Sequence, residues 1–150
     1  MNPYKGYLKD QPGFRVLNEN YIMLLGHLYE DAWCYNKLTK EEIGIWRFQN
    51  DPTCGIIGRN NDWCLVGGEI LILRTFSDHT VRPVGELENI HAIRINDEYE
   101  AQILIDPWSE NAAIWHFELD LSQVAPAIGL WKIKDFKEYQ DKPYTENVEW

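Results

Sequence analysis

The sequence is short of cysteine, short of bases and free of long apolar runs. Its three cysteines (Cys34, Cys54, Cys64) are odd in number, widely spaced and never in a C-x-x-C pair. A disulfide framework calls for even, patterned cysteines and a zinc ribbon for paired ones, so reduced thiols in a cytosolic protein are expected instead. No uncharged apolar stretch approaches the roughly 18–20 residues of a membrane span. The opening "MNPYKGYLKDQPGF" lacks the apolar core of a signal peptide. The expected setting is soluble and cytoplasmic, with no membrane partner.

Bases are the second shortage. Fourteen Lys and Arg stand against 24 Asp and Glu, a formal charge of −10. Nucleic-acid affinity comes largely from bases that neutralise phosphates, so nucleic acid is not expected as a partner. Long-range attraction favours cationic partners instead.

Chemical motifs are the third. His27, His79, His91 and His116 are far apart and form neither H-x-H nor H-E-x-x-H, so no metal is expected. "CGIIGRNND" holds a G-x-x-G but no Lys and no following helix, which sets a phosphate loop aside. Cys34 in "AWCYN" and Cys64 in "DWCLV" read as small buried hydrophobes, not as thiolates in an electropositive setting. No cofactor and no catalytic residue are assigned, and the chain is not read as an enzyme.

What the chain does have is aromatic weight: seven Trp, eight Tyr and five Phe in 150 residues. That suffices to anchor the core of a single globular domain spanning 1–150. Residues 1 to 20 read as an irregular lead-in punctuated by Pro and Gly. "YIMLLGH" and "DAWCYN" read as strands around "LYE". In "LTKEEIGIWRF", Thr39 and Glu42 have capping-box spacing, so a turn of helix leading into a strand is expected.

Further on, "TCGIIGR" and "WCLVGGEILILRTF" hold strands, with Gly67-Gly68 as a tight hairpin that uses positive φ. "TVRPVGELEN" reads as a loop with an edge strand, because Pro83 cannot donate to a ladder. A meander of "IHAIRI", "EYEAQILI" and "AAIWHFELD" follows, turning at Asn96-Asp97 and at "DPWSEN". "VAPAIGLWKIKDF" returns one more strand, and the polar tail is extended or partly helical.

The fold class expected is mainly β. Antiparallel meander and hairpin sheets form a β-sandwich or a partial propeller-like fold, with at most short helices. Hairpins begin near Tyr21, Asp62 and Glu100, 41 and 38 residues apart. That spacing is of the kind seen in propeller blades, although three such units do not close an ordinary propeller.

The meander carries the functional signal. From Glu86 to Asp120 lie nine acids (Glu86, Glu88, Asp97, Glu98, Glu100, Asp106, Glu110, Glu118, Asp120) and one base, Arg94. Residues two apart on a strand share a face. Tyr99, Ala101, Ile103 and Ile105 therefore fall on one side and Glu98, Glu100 and Gln102 on the other. Likewise Ala113, Trp115, Phe117 and Leu119 oppose His116, Glu118 and Asp120. A coat that serves solubility alone ordinarily mixes the signs. The residues assigned to a partner surface are Asp97, Glu98, Glu100, Asp106, Trp108, Glu110, His116, Glu118 and Asp120.

In size, acidity, aromatic content and lack of catalytic residues, the whole chain resembles the bacterial immunity proteins of toxin–immunity pairs. The resemblance is one of general character, without a diagnostic motif, so no residue role is carried over. It implies a protein that neutralises a basic toxin, a nuclease in the family's usual pattern, by presenting carboxylates where the toxin expects phosphates. The competing readings are a carbohydrate- or peptide-binding β module, a subunit completing a propeller-like sheet by oligomerising, and a small hydrolase using carboxylates. For the last, Asp106, Trp108 and Glu110 share one loop, whose bland account is a hairpin with Trp108 folded back on the core.

Overall fold

A computed structural model describes residues 6–150 of the chain. Among the described residues, twelve strands follow one another, with a single short 3-10 turn, Leu8–Asp10, before them. The strands form three four-stranded antiparallel sheets, each built from four consecutive strands.

The first sheet holds β1 (Phe14–Glu19), β2 (Met23–Leu28), β3 (Asp31–Asn36) and β4 (Glu42–Arg47). The second holds β5 (Cys54–Ile57), β6 (Trp63–Gly67), β7 (Ile70–Thr75) and β8 (Thr80–Glu88). The third holds β9 (Ile90–Asp97), β10 (Glu100–Ile105), β11 (Ala113–Asp120) and β12 (Ala127–Asp135). The expected hairpin starts near 21, 62 and 100 mark the second strand of each sheet. Sequential four-stranded meanders have the topology of propeller blades. Here they stack as a sandwich-like assembly in which the opening strands β1, β5 and β9 lie side by side.

The second sheet is the middle layer, and its strands show it. Every residue of β6 is buried. Trp63 and Leu65 join Leu71, Leu73, Ile103 and Phe117 in a core against the third sheet. Cys64 and Val66 face the other way, packing with Leu25, Cys34 and Ile72 against the first sheet. A strand covered on both faces has no polar alternation, hence the continuous apolar run "WCLV". The third sheet buries Ala101, Ile103 and Phe117 on its inner face, with Trp115 half-buried beside them. Its outer face is partly covered by the chain's own tail, where Phe136, Tyr139 and Trp150 pack on Leu104 and Ile114.

Several expectations are corrected. The lead-in contains a full strand, β1, paired along β2 from Phe14–Leu28 to Glu19–Leu24; the part of it at 1–5 lies outside the described residues. No helical turn opens at Thr39. Glu42 begins β4, and its carboxylate accepts the Leu8 N–H at 2.7 Å instead of returning to the Thr39 amide. The Gly67-Gly68 pair does not use positive φ, a feature confined among the described glycines to Gly13 and Gly85. At Gly67 the need is space, since a Cβ there would stand 2.5 Å from the Ile90 side chain. "TVRPVGELE" is ordered as β8, an edge strand as Pro83 requires. The first meander turn falls at Glu98-Tyr99, because β9 runs on through Asp97.

Candidate functional site

The turn between β9 and β10 is held from beneath. Trp63, fully buried, donates its indole N–H to the Glu98 carbonyl at 3.1 Å. The Tyr99 hydroxyl donates to the Asp62 carboxylate at 2.7 Å, and the Tyr99 carbonyl accepts the Leu119 N–H at 2.9 Å. These contacts tie the turn to the second sheet and to the end of β11, so its carboxylates project from a fixed frame.

Register then brings acids together. Glu100 lies opposite Asp97 on β9 and opposite Glu118 on β11. Asp97, Glu98, Tyr99, Glu100, Glu118 and Leu119 line one open cleft of ≈ 330 Å³. Among the described residues, the basic side chains within ion-pair distance of these acids are two. Arg59 stands 3.8 Å from Asp97, both exposed, and His116 Nε2 stands 3.2 Å from Glu118 and 3.8 Å from Glu100. Like charges directly opposed across a ladder repel. Accordingly, the neighbouring Glu118 carboxyl, first by its hydrogen bond, holds the Glu100 pKa above the ordinary glutamate value; desolvation and like charge act the same way.

His116 is the least exposed member, its side chain 12 % accessible. The Trp131 ring lies 4.5 Å from the imidazole, centroid to centroid, and tilted 34° to it. Gly129 sits opposite Glu118, where a Cβ would come within 3.2 Å of the Trp131 ring. Asp120 lies beyond the β10–β11 pairing, opposite Ala127 on β12, and is occupied locally: Ser122 donates to it from its hydroxyl (2.6 Å) and amide (2.9 Å), which lowers its pKa.

The remaining sequence-predicted residues are elsewhere. Asp106, Trp108 and Glu110 belong to the loop after β10, roughly 20 Å from the acidic turn at about 3.3 Å per strand residue. Asp106 caps that loop by accepting the Trp108 N–H at 3.0 Å. Trp108 is folded back, edge-on to Tyr139 and Tyr144, with its indole donating to the Lys142 carbonyl at 2.8 Å. Glu110 is exposed and shares a separate cleft with Glu86, Glu88 and Asp135. The structure thus brings together Asp97, Glu98, Glu100, His116 and Glu118, and sets Asp106, Trp108 and Glu110 apart.

Sequence reasoning missed Trp131 and Gly129. The two-residue spacing of Gly129 and Trp131 was a signal that they share a face. Only the β11–β12 register places that face beside His116 and Glu118.

Fold and site together define an all-β protein that displays a fixed, under-neutralised group of carboxylates. No family model matches the chain, and no curated protein matches it. Among solved structures, a chain of the S. cerevisiae assembly of a Dbp5 variant bound to Nup159, a Gle1 variant, IP6 and ADP is similar, with a TM-score of 0.53 at 9% identity. The match covers 88% of this chain and 33% of that one, so this chain spans about a third of its length. The likeness is one of fold alone. No helix among the described residues is long and apolar enough to cross a membrane.

Proposed function

We propose that the chain is a cytoplasmic binding protein that neutralises a basic protein partner, after the manner of an immunity protein facing a nuclease toxin. The observation that carries this reading is the cleft at the β9–β10 turn, where Asp97, Glu98, Glu100 and Glu118 converge. Such a surface matches the Lys- and Arg-rich groove with which a nuclease holds phosphates. A cationic side chain entering between Glu100 and Glu118 removes a repulsion the free protein must tolerate. The frame also suits the task, since a turn anchored by Trp63 and Tyr99 loses little freedom when a partner docks.

The test is to measure association with a basic nuclease domain recovered with the tagged chain, in chelator and across salt concentrations, with nuclease inhibition as the second readout. Association is expected to slow as salt rises. The Glu98→Lys, Glu100→Lys, Glu118→Lys triple variant is expected to stay folded and to lose both binding and inhibition. Truncating one partner of a desolvated charge pair costs about 2–5 kcal/mol, and a rim charge much less. A folded triple variant that binds and inhibits like the parent chain refutes the reading.

A further inference from the structure

We propose that Glu100, His116 and Glu118 form a binding site for a zinc-class divalent cation. One candidate ligand atom from each residue lies within 4.8 Å of the other two. Around a tetrahedral centre with bonds of about 2.0–2.2 Å, neighbouring ligand atoms stand roughly 3.3–3.5 Å apart. The measured separations from His116 Nε2, 3.2 Å to Glu118 and 3.8 Å to Glu100, bracket that value. Half-exposed Glu100 needs only a small side-chain rotation to close the set.

The backbone builds this geometry in advance. His116 and Glu118 are two apart on β11 and share a face, and Glu100 is the direct cross-strand partner of Glu118. Three corners of one ladder tile therefore carry ligands. The fourth, Gln102, is engaged elsewhere, its carbonyl accepting from Arg94 at 2.8 and 2.6 Å.

The imidazole is also placed for a ligand. It is largely buried, Trp131 lies against its ring, and its Nε2 is directed at both carboxylates. The bases of the described residues leave Glu100 and Glu118 with no counter-group but this imidazole, so the pair lacks the positive charge that its convergence calls for. The adjoining cleft of ≈ 330 Å³ leaves a remaining position open to water.

The donor set selects the class of metal. Two carboxylates and one imidazole suit zinc and its neighbours, whereas calcium takes six to eight oxygens. This assignment goes beyond the partner reading, which is tested in chelator and stands or falls separately.

The experiment is calorimetric titration of the chelator-treated, dialysed full chain with zinc chloride at neutral pH. The parent chain is expected to bind one zinc ion saturably and to weaken as pH is lowered, because a bound imidazole must be neutral. Glu100→Gln and His116→Gln are each expected to weaken binding by at least about tenfold, the lower bound for loss of even an indirect support. Because the three thiols are alternative ligands, cobalt(II) absorption of the parent chain is read alongside. Ligand-field bands without thiolate-to-metal charge transfer support the site, and this readout holds should a variant fail to fold. Absence of saturable zinc binding, unchanged affinity in both folded variants, or a thiolate charge-transfer band each overturns the proposal.

Discussion

Phe117→Ala is the substitution from which the layered architecture has most to lose. Phe117 is fully buried on the inner face of β11, its ring 5.6 Å from that of Trp63 across the joint between the second and third sheets. Its cross-strand neighbour Ala101 is also fully buried and too small to fill the vacated volume. Deleting a buried Phe ring forfeits its transfer free energy and leaves a cavity, together about 3–5 kcal/mol. For a chain of this size about 2–4 °C is lost per kcal/mol, so Tm should fall by roughly 6–20 °C. Since domains are stable by only about 5–15 kcal/mol, the variant sits close to the limit of folding.

The assay is urea unfolding with calorimetry, beside Trp131→Ala as a control. Trp131 is the larger side chain, but it lies on the outer face and is 47% exposed, so its removal should cost under about 1 kcal/mol. Should Phe117→Ala lose less than about 1 kcal/mol, or Trp131→Ala lose as much as Phe117→Ala, the assignment of inner and outer faces is wrong.

Burial pushes the Cys34 thiol up to about 12 and the Cys54 thiol to about 11, and raises fully buried Cys64 as well. A thiol reagent at pH 8 should therefore find the native chain nearly inert and titrate three groups after denaturation; a fast native burst would contradict this. Glu100 binds its proton more readily folded than unfolded, so its contribution to stability falls as pH rises from the ordinary glutamate range through its raised value. In chelator, Glu100→Gln should raise Tm at neutral pH and leave it unchanged below the ordinary range, where both states are protonated. A lower Tm at neutral pH counts against the carboxylate conflict.

The meander was legible because one face was covered. Near the turn, Glu100 to Ile103 and Trp115 to Asp120 alternate, so period two sorted Ile103 and Phe117 from Glu118 and Asp120; at the other end Leu104 and Ile114 break the alternation because the tail buries them on the outer face. β1 escaped notice because its residues are at most half-buried and a bulge lies between Val16 and Asn18. The strand β4 was expected, but a helical turn was placed ahead of it because Thr39 and Glu42 have capping-box spacing; pairing with β3 carries Glu42 into the strand instead. Propensity was overridden by tertiary pairing.

The site was half legible for a related reason. Composition located the acids, but which carboxylates meet is a matter of register. A turn displaced from Asn96-Asp97 to Glu98-Tyr99 decides that Asp97 stands across from Glu100. What sets that register is the inner face. Burying Ile103, Ile105, Phe117 and Leu119 contributes about 1.5–3 kcal/mol each, whereas carboxylates half in water repel weakly and are screened further by salt. A one-residue slip would turn outward the apolar pair of whichever strand moved, Ile103 and Ile105 on β10 or Phe117 and Leu119 on β11, to relieve one pair of acids. The core therefore holds the ladder in place against its own charge. It follows that the acids can be neutralised or reversed without redirecting the strands, so a loss of binding in such variants reports on the surface and not on the fold.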